Sequence, residues 1–576
     1  MRRARHLVLD AALATVVATA AGHVGAEAPP GWRCASCVPD RPWSLDLSAS
    51  PAWVSDDAYH FGDYTGLTEQ GAYLLGTFSG TYVGPATGYF RFDGFSAGPD
   101  AAAVFAEAGQ QSTWRLAVSY QAIPRRFYDS TVTPYRGNGG EALTLPAGWV
   151  RAPTTAGMSA LSRTSSPVDV RRDVDVLELD LRIRPDSRWS FLSDYRRLRR
   201  QGRNLSAGSF LANAEALVSP VDHTTDELTL GVALHGQGWE ASLRYLGSFF
   251  DNGEETLTWD NPFTGVPGAD SGRTALAPDN EAQQLALAGS MRLPGRTVVS
   301  ARLAGGRMTQ DEHLLPYTTN PDLQTMPLPR SRADIRANTA SAGIRVVSSP
   351  WRRVTLEADL RFNELNTAKM VNAWEYVVTD SLPAEFPVEN PGYDYQRTEL
   401  SLRGEYRTSR ALRLEIGLDA RRFERTRQER ARTDTERLWL RLHRRLGDGA
   451  DLDFDLFGER RGGSTYRNPD DSAAGQNPVL RKYNMADRDR YGFRVRATLY
   501  PFERWEAGWE VEAGRDDYDG TGIGLTGSRY ARAGVDFSWL MGAGVSLFAS
   551  ASTERINDRQ SNSQAFSTPD WTASSS

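Results

Sequence analysis

The stretch LTLGVALHGQGWEASLRY, residues 228–245, decides how the rest of the chain is read. Leu228, Leu230, Val232 and Leu234 alternate with Thr229, Gly231 and Ala233. Gly236, Gln237 and Gly238 follow, and then Trp239, Ala241, Leu243 and Tyr245 alternate with Glu240, Ser242 and Arg244. Successive side chains of a strand point to opposite faces, so an apolar residue at every second position makes one face oily and the other wet. A helix would scatter the same residues around its surface. The glycine-bounded break between the two runs closes them into a hairpin.

The pattern repeats along the chain. Val354, Leu356, Ala358, Leu360 and Phe362 interleave with Thr355, Glu357, Asp359, Arg361 and Asn363. Leu412, Leu414, Ile416, Leu418 and Ala420 interleave with Arg413, Glu415, Gly417, Asp419 and Arg421. The connections fall into two kinds. Tight ones sit at Pro185-Asp186-Ser187, Gly236-Gln237-Gly238, Pro294-Gly295, Thr408-Ser409-Arg410, Gly447-Asp448-Gly449 and Pro501-Phe502-Glu503. Long polar stretches lie near 199–225, 251–280, 309–337, 365–396, 461–487 and 516–527. Brief turns alternating with extended loops are the rhythm of a bacterial outer-membrane barrel, with turns in the periplasm and loops outside.

That rhythm places about nineteen strands from Gly71 onward, most near the 9–11 residues that cross a bilayer at a tilt. The early ones are expected at 72–82, 89–97, 113–122 and 174–184, and the last two at 528–540 and 544–555. A bacterial single-chain barrel closes with an even number of strands. An open edge in lipid leaves backbone groups unsatisfied at several kcal/mol each. The odd count and the Ser-rich ending NSQAFSTPDWTASSS therefore predict that C-terminal strands are missing from this sequence. The expected fold class is all-β, a large antiparallel transmembrane β-barrel over 71–576.

Composition agrees with strands that alternate. Hydrophobic residues make up 40% of the 576 and charged residues 24%, and mean hydropathy is −0.48. No stretch approaches the roughly 18 uncharged apolar residues of a spanning helix. Yet 15 Trp, 21 Tyr and 22 Phe stand beside 52 Gly, which suits a barrel with an apolar outside and a polar lumen. Lys369 and Lys482 are the only lysines; the preference for Arg reads as coding bias ahead of a selective need for arginine. A net charge of −6 and no basic block give no support for nucleic-acid binding. Arg2, Arg3 and Arg5, the mostly apolar run Leu7 to Ala21 and the small residues Val24-Gly25-Ala26 read as a signal peptide over 1–26. Residues 27–70 are then expected to be a periplasmic segment.

Both cysteines lie in that segment, in the sequence GWRCASCVPD, residues 31–40. Covalent c-type haem needs a His after the second cysteine, and position 38 is Val. Zinc needs four ligands, and Cys34 and Cys37 have no His pair nearby; His60 reads as an ordinary surface histidine. Pro39, Pro42 and Trp43 argue against the helix N-terminus that a thioredoxin-like pair uses. In an exported protein Cys34 and Cys37 read as a structural or redox-sensitive pair, with a disulfide expected. Asp56, Asp57 and Asp63 lack the spacing and terminal Glu of a calcium loop and read as a turn into the first strand. No Ser/His/Asp set, phosphate loop or paired-carboxylate arrangement stands out, so no enzyme activity is expected.

The segment WRCASC at 32–37, followed by WVSDDAYHFGDYTGLTEQGAYLLG at 53–76, resembles the MtrB/PioB family of outer-membrane proteins. The resemblance rests on Trp32 and the cysteine pair, then on Phe61, Gly62, Asp63, Tyr64, Gly66 and Leu67. Residues 500–530 and 551–571 are similar to hairpins and loops of the same family. The resemblance implies a barrel in the bacterial outer membrane that sheathes a periplasmic multihaem c-type cytochrome, often with an extracellular multihaem partner. Electrons then pass across the membrane through haems held by the partner, and this chain binds no cofactor itself. Charges that would line such a sheath are Glu178, Asp180, Arg182, Arg184, Glu357, Asp359, Arg361, Arg413, Glu415 and Asp419. They would equally hydrate the aqueous lumen of a solute-transport porin, the alternative reading. Trp374, Tyr376 and Tyr393 in a long loop either meet an extracellular partner or pack within the loop.

Overall fold

A computed structural model describes residues 42–84, 88–367, 371–467, 479–542, 544–563 and 572–575. The expected signal peptide and Trp32, Cys34 and Cys37 lie outside the described residues. Within them 22 strands hydrogen-bond into one sheet. The first eight are β1 (Trp43–Val54), β2 (Gly71–Val83), β3 (Gly88–Ser96), β4 (Ala102–Gln110), β5 (Trp114–Thr133), β6 (Ser166–Ile183), β7 (Trp189–Phe210) and β8 (Asn213–Gly236). There follow β9 (Trp239–Asn252), β10 (Asn280–Leu293), β11 (Thr297–Gln310), β12 (Ile335–Trp351), β13 (Val354–Thr367), β14 (Tyr395–Ser409) and β15 (Leu412–Arg425). The last are β16 (Arg432–Leu446), β17 (Ala450–Gly463), β18 (Asp487–Phe502), β19 (Trp505–Asp519), β20 (Gly524–Gly542), β21 (Val545–Ser563) and β22 (Thr572–Ser575). Each pairs antiparallel with its neighbour in sequence, from β1–β2 to β21–β22, an up-and-down meander.

Cross-strand partners share a face, so the registers assign one. Leu243 stands opposite Val232 and Leu287, Leu287 opposite Leu303, Leu402 opposite Leu418 and Leu418 opposite Leu438. The leucines among them are exposed, Leu303 by 56% and Leu438 by 58%, although burial of a leucine is worth about 1.5–3 kcal/mol. Only a hydrocarbon environment makes such a belt favourable. Six tryptophans mark one border of it. Trp43, Trp114, Trp189, Trp239 and Trp505 each begin a strand and Trp351 ends one, all at the end with the short turns. Rings with one apolar and one polar edge collect where lipid meets water. At the other border the same face turns polar: Tyr120 donates to Asp175 at 2.6 Å and Arg197 pairs with Asp226 at 2.8 Å. No helix of the described residues is long and apolar enough to cross a membrane.

Four expectations are corrected. Among the described residues the strands of the sheet number 22 rather than about nineteen, and the sheet begins at Trp43, not Gly71. Strand β4, AAVFAEAGQ, escaped because alanine marks neither face clearly. The expected long loop at 199–225 is instead the hairpin of β7 and β8, closed by Leu211 and Ala212. At ~3.3 Å per residue these strands run roughly 70–80 Å, far beyond what a bilayer needs, so their outer halves meet no lipid and keep no apolar alternation. Finally, residues 55–70 connect β1 to β2 at the end that carries the long connections 134–165, 253–279 and 311–334. In an outer-membrane barrel that end is external, so the block from Phe61 to Leu67 lies outside rather than in the periplasm.

Candidate functional site

The face opposite the leucine belt is charged, and its charges are in register. Reading across the sheet from β14 to β21, one row runs Glu405, Glu415, Arg441, Asp455, Arg494, Glu512, Arg532 and Glu554. After the first pair every step reverses sign. Arg403 bridges to Glu415 at 2.8 Å and Arg441 to Asp455 at 3.3 Å. A neighbouring row places Asp419 beside Arg437, then Glu459, Arg490 and Asp516. The Trp439 indole N–H donates to Asp419 at 2.8 Å, and Ser401 donates to it at 2.6 Å. Any one exposed pair is worth about 0–1 kcal/mol, but a lattice of them holds long side chains against the wall.

The residues expected to line a lumen fall on this face. Glu178 meets Arg196 at 3.3 Å. Asp180 is shared by Arg115 and Arg182, at 2.6 and 2.7 Å. Arg184 lies just beyond β6, beside Arg182, Arg115 and Trp114. Glu357 takes Arg345 at 2.7 Å, Asp359 takes Arg361 at 2.7 Å, and Arg413 joins the Glu415 cluster at 3.3 Å.

The motif block has a different task. Asp63 accepts from Arg125 Nε at 2.8 Å and from the Arg126 N–H at 3.1 Å. Burial alone would raise its carboxyl, but these hydrogen bonds hold it below the usual carboxylate range. Tyr64 adopts a left-handed φ of 69°, its N–H bonded to the Pro124 carbonyl at 2.8 Å, and the Arg125 guanidinium lies 4.3 Å from its ring centre. Gly66, at φ 75°, passes so close to Asp100 that a β-carbon would come within 3.0 Å. Leu67 is buried, while Phe61 is exposed. Gly62 leaves no room for a β-carbon beside Thr68. Arg126, with 4% of its side chain exposed, bridges Asp100 at 2.7 Å and Asp173 at 2.8 Å. The block thus clasps the first outer loop to β5 and to the 97–101 connection. Asp63 is committed to arginines, Asp57 accepts from the Gln70 N–H at 2.6 Å, and no metal-holding cluster occurs among the described residues.

An outer cap went unread in the sequence. Connections 134–165 and 253–279 bury Tyr135, Leu143, Met158, Leu257, Trp259 and Phe263 against Phe210 and Leu217 of the protruding hairpin. Trp259 fits because Gly208 and Gly272 flank it, where β-carbons would come within 2.6 and 2.5 Å of its ring. Tyr135 Oη lies 2.5 Å from Glu215 Oε2 and 2.9 Å from the Asp260 carbonyl oxygen. A hydroxyl has one proton; with Glu215 protonated, Glu215 donates to Tyr135 and Tyr135 to Asp260. Burial, outweighing the Tyr135 hydrogen bond, raises the Glu215 carboxyl to about 7. Trp259 and Phe263 in a polar stretch were the signal available. Trp374 Nε1 donates to Asn390 at 2.7 Å within its own loop.

The family match of the chain agrees with this architecture. The family model described as outer membrane beta-barrel porin, MtrB/PioB, matches residues 53–576. Outer membrane protein MtrB of Shewanella baltica is 29% identical over 546 residues, which are 94% of this chain and 77% of that protein. Among solved structures, the copper transporter OprC aligns with a TM-score of 0.41 at 10% identity, over 85% of this chain and 81% of its own. The siderophore receptor PiuA of Acinetobacter baumannii aligns at 0.43 and 9%, over 88% of this chain and 76% of its own. A lipid-facing leucine belt, a charged inner face and a match running from β1 to the end of the chain lead to one assignment: this is an outer-membrane β-barrel of the MtrB/PioB family.

Proposed function

We propose that the barrel sheathes a periplasmic multihaem c-type cytochrome and so lets electrons cross the outer membrane, as the family resemblance implies. The observation that carries the reading is the charged inner face of a chain in this family. Electron tunnelling needs closely spaced haems, and a charged haem protein cannot rest in hydrocarbon. A barrel gives such a rod water-like walls inside and an apolar belt outside. The haems are the partner's, since Val38 follows the only cysteine pair and the chain has seven His in all. This chain's own contribution is therefore position and insulation rather than a reaction.

The test is affinity capture of the protein from native membranes followed by haem staining. A haem-bearing band in stoichiometric amount is expected. Barrel free of haem protein that passes sugars in liposomes would replace this reading with the solute porin.

A further inference from the structure

The inner face is not uniform. From β8 to β13 one row runs Ala233, Ser242, Ala288, Arg302, Gly343 and Arg361. The rows on either side carry Ser290 and Ser300 below, between Glu240 and Arg345, and Ala286 and Ala304 above, between Arg244 and Ser341. Where β14 to β21 carry a thicket of arginines and carboxylates, this wall has small side chains over β10 and β11 with charges only at its edges and at Arg302, and it forms a hollow of about 480 Å³. The charges that border the hollow are unbalanced. Arg244, Arg302, Arg345 and Arg361 face only Glu240 and Asp359 there. Arg345 and Arg361 are engaged with Glu357 and Asp359, each at 2.7 Å. Arg244 and Arg302 are exposed and form no direct ion pair or hydrogen bond among the described residues, Arg244 meeting the Asp194 carboxylate only through a longer-range attraction. Arg302 lies over Gly343, where a β-carbon would come within 3.0 Å of its Nε.

We infer that the sheathed partner docks on the β8–β13 wall, presenting surface carboxylates to Arg244 and Arg302. The inference rests on the sheath reading and adds where, and with what chemistry, the guest is held. Two physical arguments select this wall. Small side chains let a protein surface approach the sheet without displacing anything, whereas on β14–β21 it would stand off behind paired side chains or break their pairs. And a guanidinium whose donors make no hydrogen bond is a ready fork for a carboxylate, while the alternating rows elsewhere neutralise themselves.

The test uses the complete complex captured from native membranes, with haem absorbance per barrel as the readout. The variants are R244Q/R302Q, which removes the anchors, and A288W, which fills the floor without touching charge. R422Q, on the outward face of β15 where Arg422 pairs with Asp434, is the control, and heat-modifiable mobility on gels reports folding in every case. At least a tenfold loss of retained haem at moderate salt is expected for R244Q/R302Q and for A288W, with less than a twofold loss for R422Q. Full retention in both test variants, or equal loss in the control, overturns the inference while the sheath stands. Absence of haem from the unaltered barrel defeats the sheath reading instead. A changed anion selectivity of R244Q/R302Q in planar bilayers, with haem retention unaltered, assigns the arginines to small anions and also overturns the inference.

Discussion

Glu215 in the outer cap is a titratable group where titration has a mechanical consequence. Its carboxyl sits at about 7 in the folded cap, against an ordinary 4.5. The closed cap therefore binds more protons than an opened one between those values, so cap stability is full below pH 4.5 and declines as pH rises through 7. Hydrogen exchange in 253–279, corrected for its intrinsic pH dependence, is expected to be faster at pH 8 than at pH 5. Glu215→Gln should abolish that difference, because an amide keeps a donor for Tyr135 without titrating. Arg126 tests a second balance. Removing both Asp100 and Asp173 leaves an uncompensated, buried guanidinium and is expected to cost about 3–5 kcal/mol. Arg126→Met, which leaves only half-exposed carboxylates behind, should cost distinctly less in urea unfolding of the lipid-inserted protein. Neither arrangement was legible in the sequence, because Arg126 meets partners 26 and 47 residues away and Glu215 meets Tyr135 across 80 residues.

At the scale of the strand, alternation predicts opposite outcomes for adjacent residues. Leu303 lies in the leucine belt and Ala304 on the bare inner wall of β11. Leu303→Arg is expected to destabilise the inserted barrel by about 2–4 kcal/mol, the cost of a cation near the bilayer midplane. Ala304→Arg should unfold at nearly the unaltered urea concentration. Strands of this kind were readable wherever leucine, valine or an aromatic stood at every second position. Trp43-Ser44-Leu45-Asp46-Leu47-Ser48 has that pattern and forms β1, so its signal was present although the barrel was expected to begin at Gly71. The halves of β7 and β8 beyond the membrane carry no such signal. They stay extended because they pair with each other and because the cap packs on Phe210 and Leu217.

For the whole molecule, the placement of both ends of the barrel is open to a direct check. In a background with Cys34 and Cys37 changed to Ser, Phe61→Cys is expected to react with a membrane-impermeant maleimide on intact cells. Ser187→Cys, in a short turn, should react only after the outer membrane is permeabilised. Labelling of position 61 only after permeabilisation would return the motif block to the periplasm. The topology behind this prediction depends on β1. One strand before Gly71 reverses the side on which every residue between 55 and 70 lies.

By itself the sequence determined that this chain is a barrel of alternating strands, with short turns at one end and long loops at the other, and it pointed to the family. Those are local properties, since period two and turn chemistry are written in contiguous residues. Only the tertiary structure decided the sign-alternating rows, the bare arginine-edged wall, the cap and the outward position of the motif. Each depends on register between segments tens of residues apart, and a slip of one residue would turn every side chain of a strand to the other face. That register is set when the paired strands together satisfy lipid, water and each other, which no single stretch of sequence records.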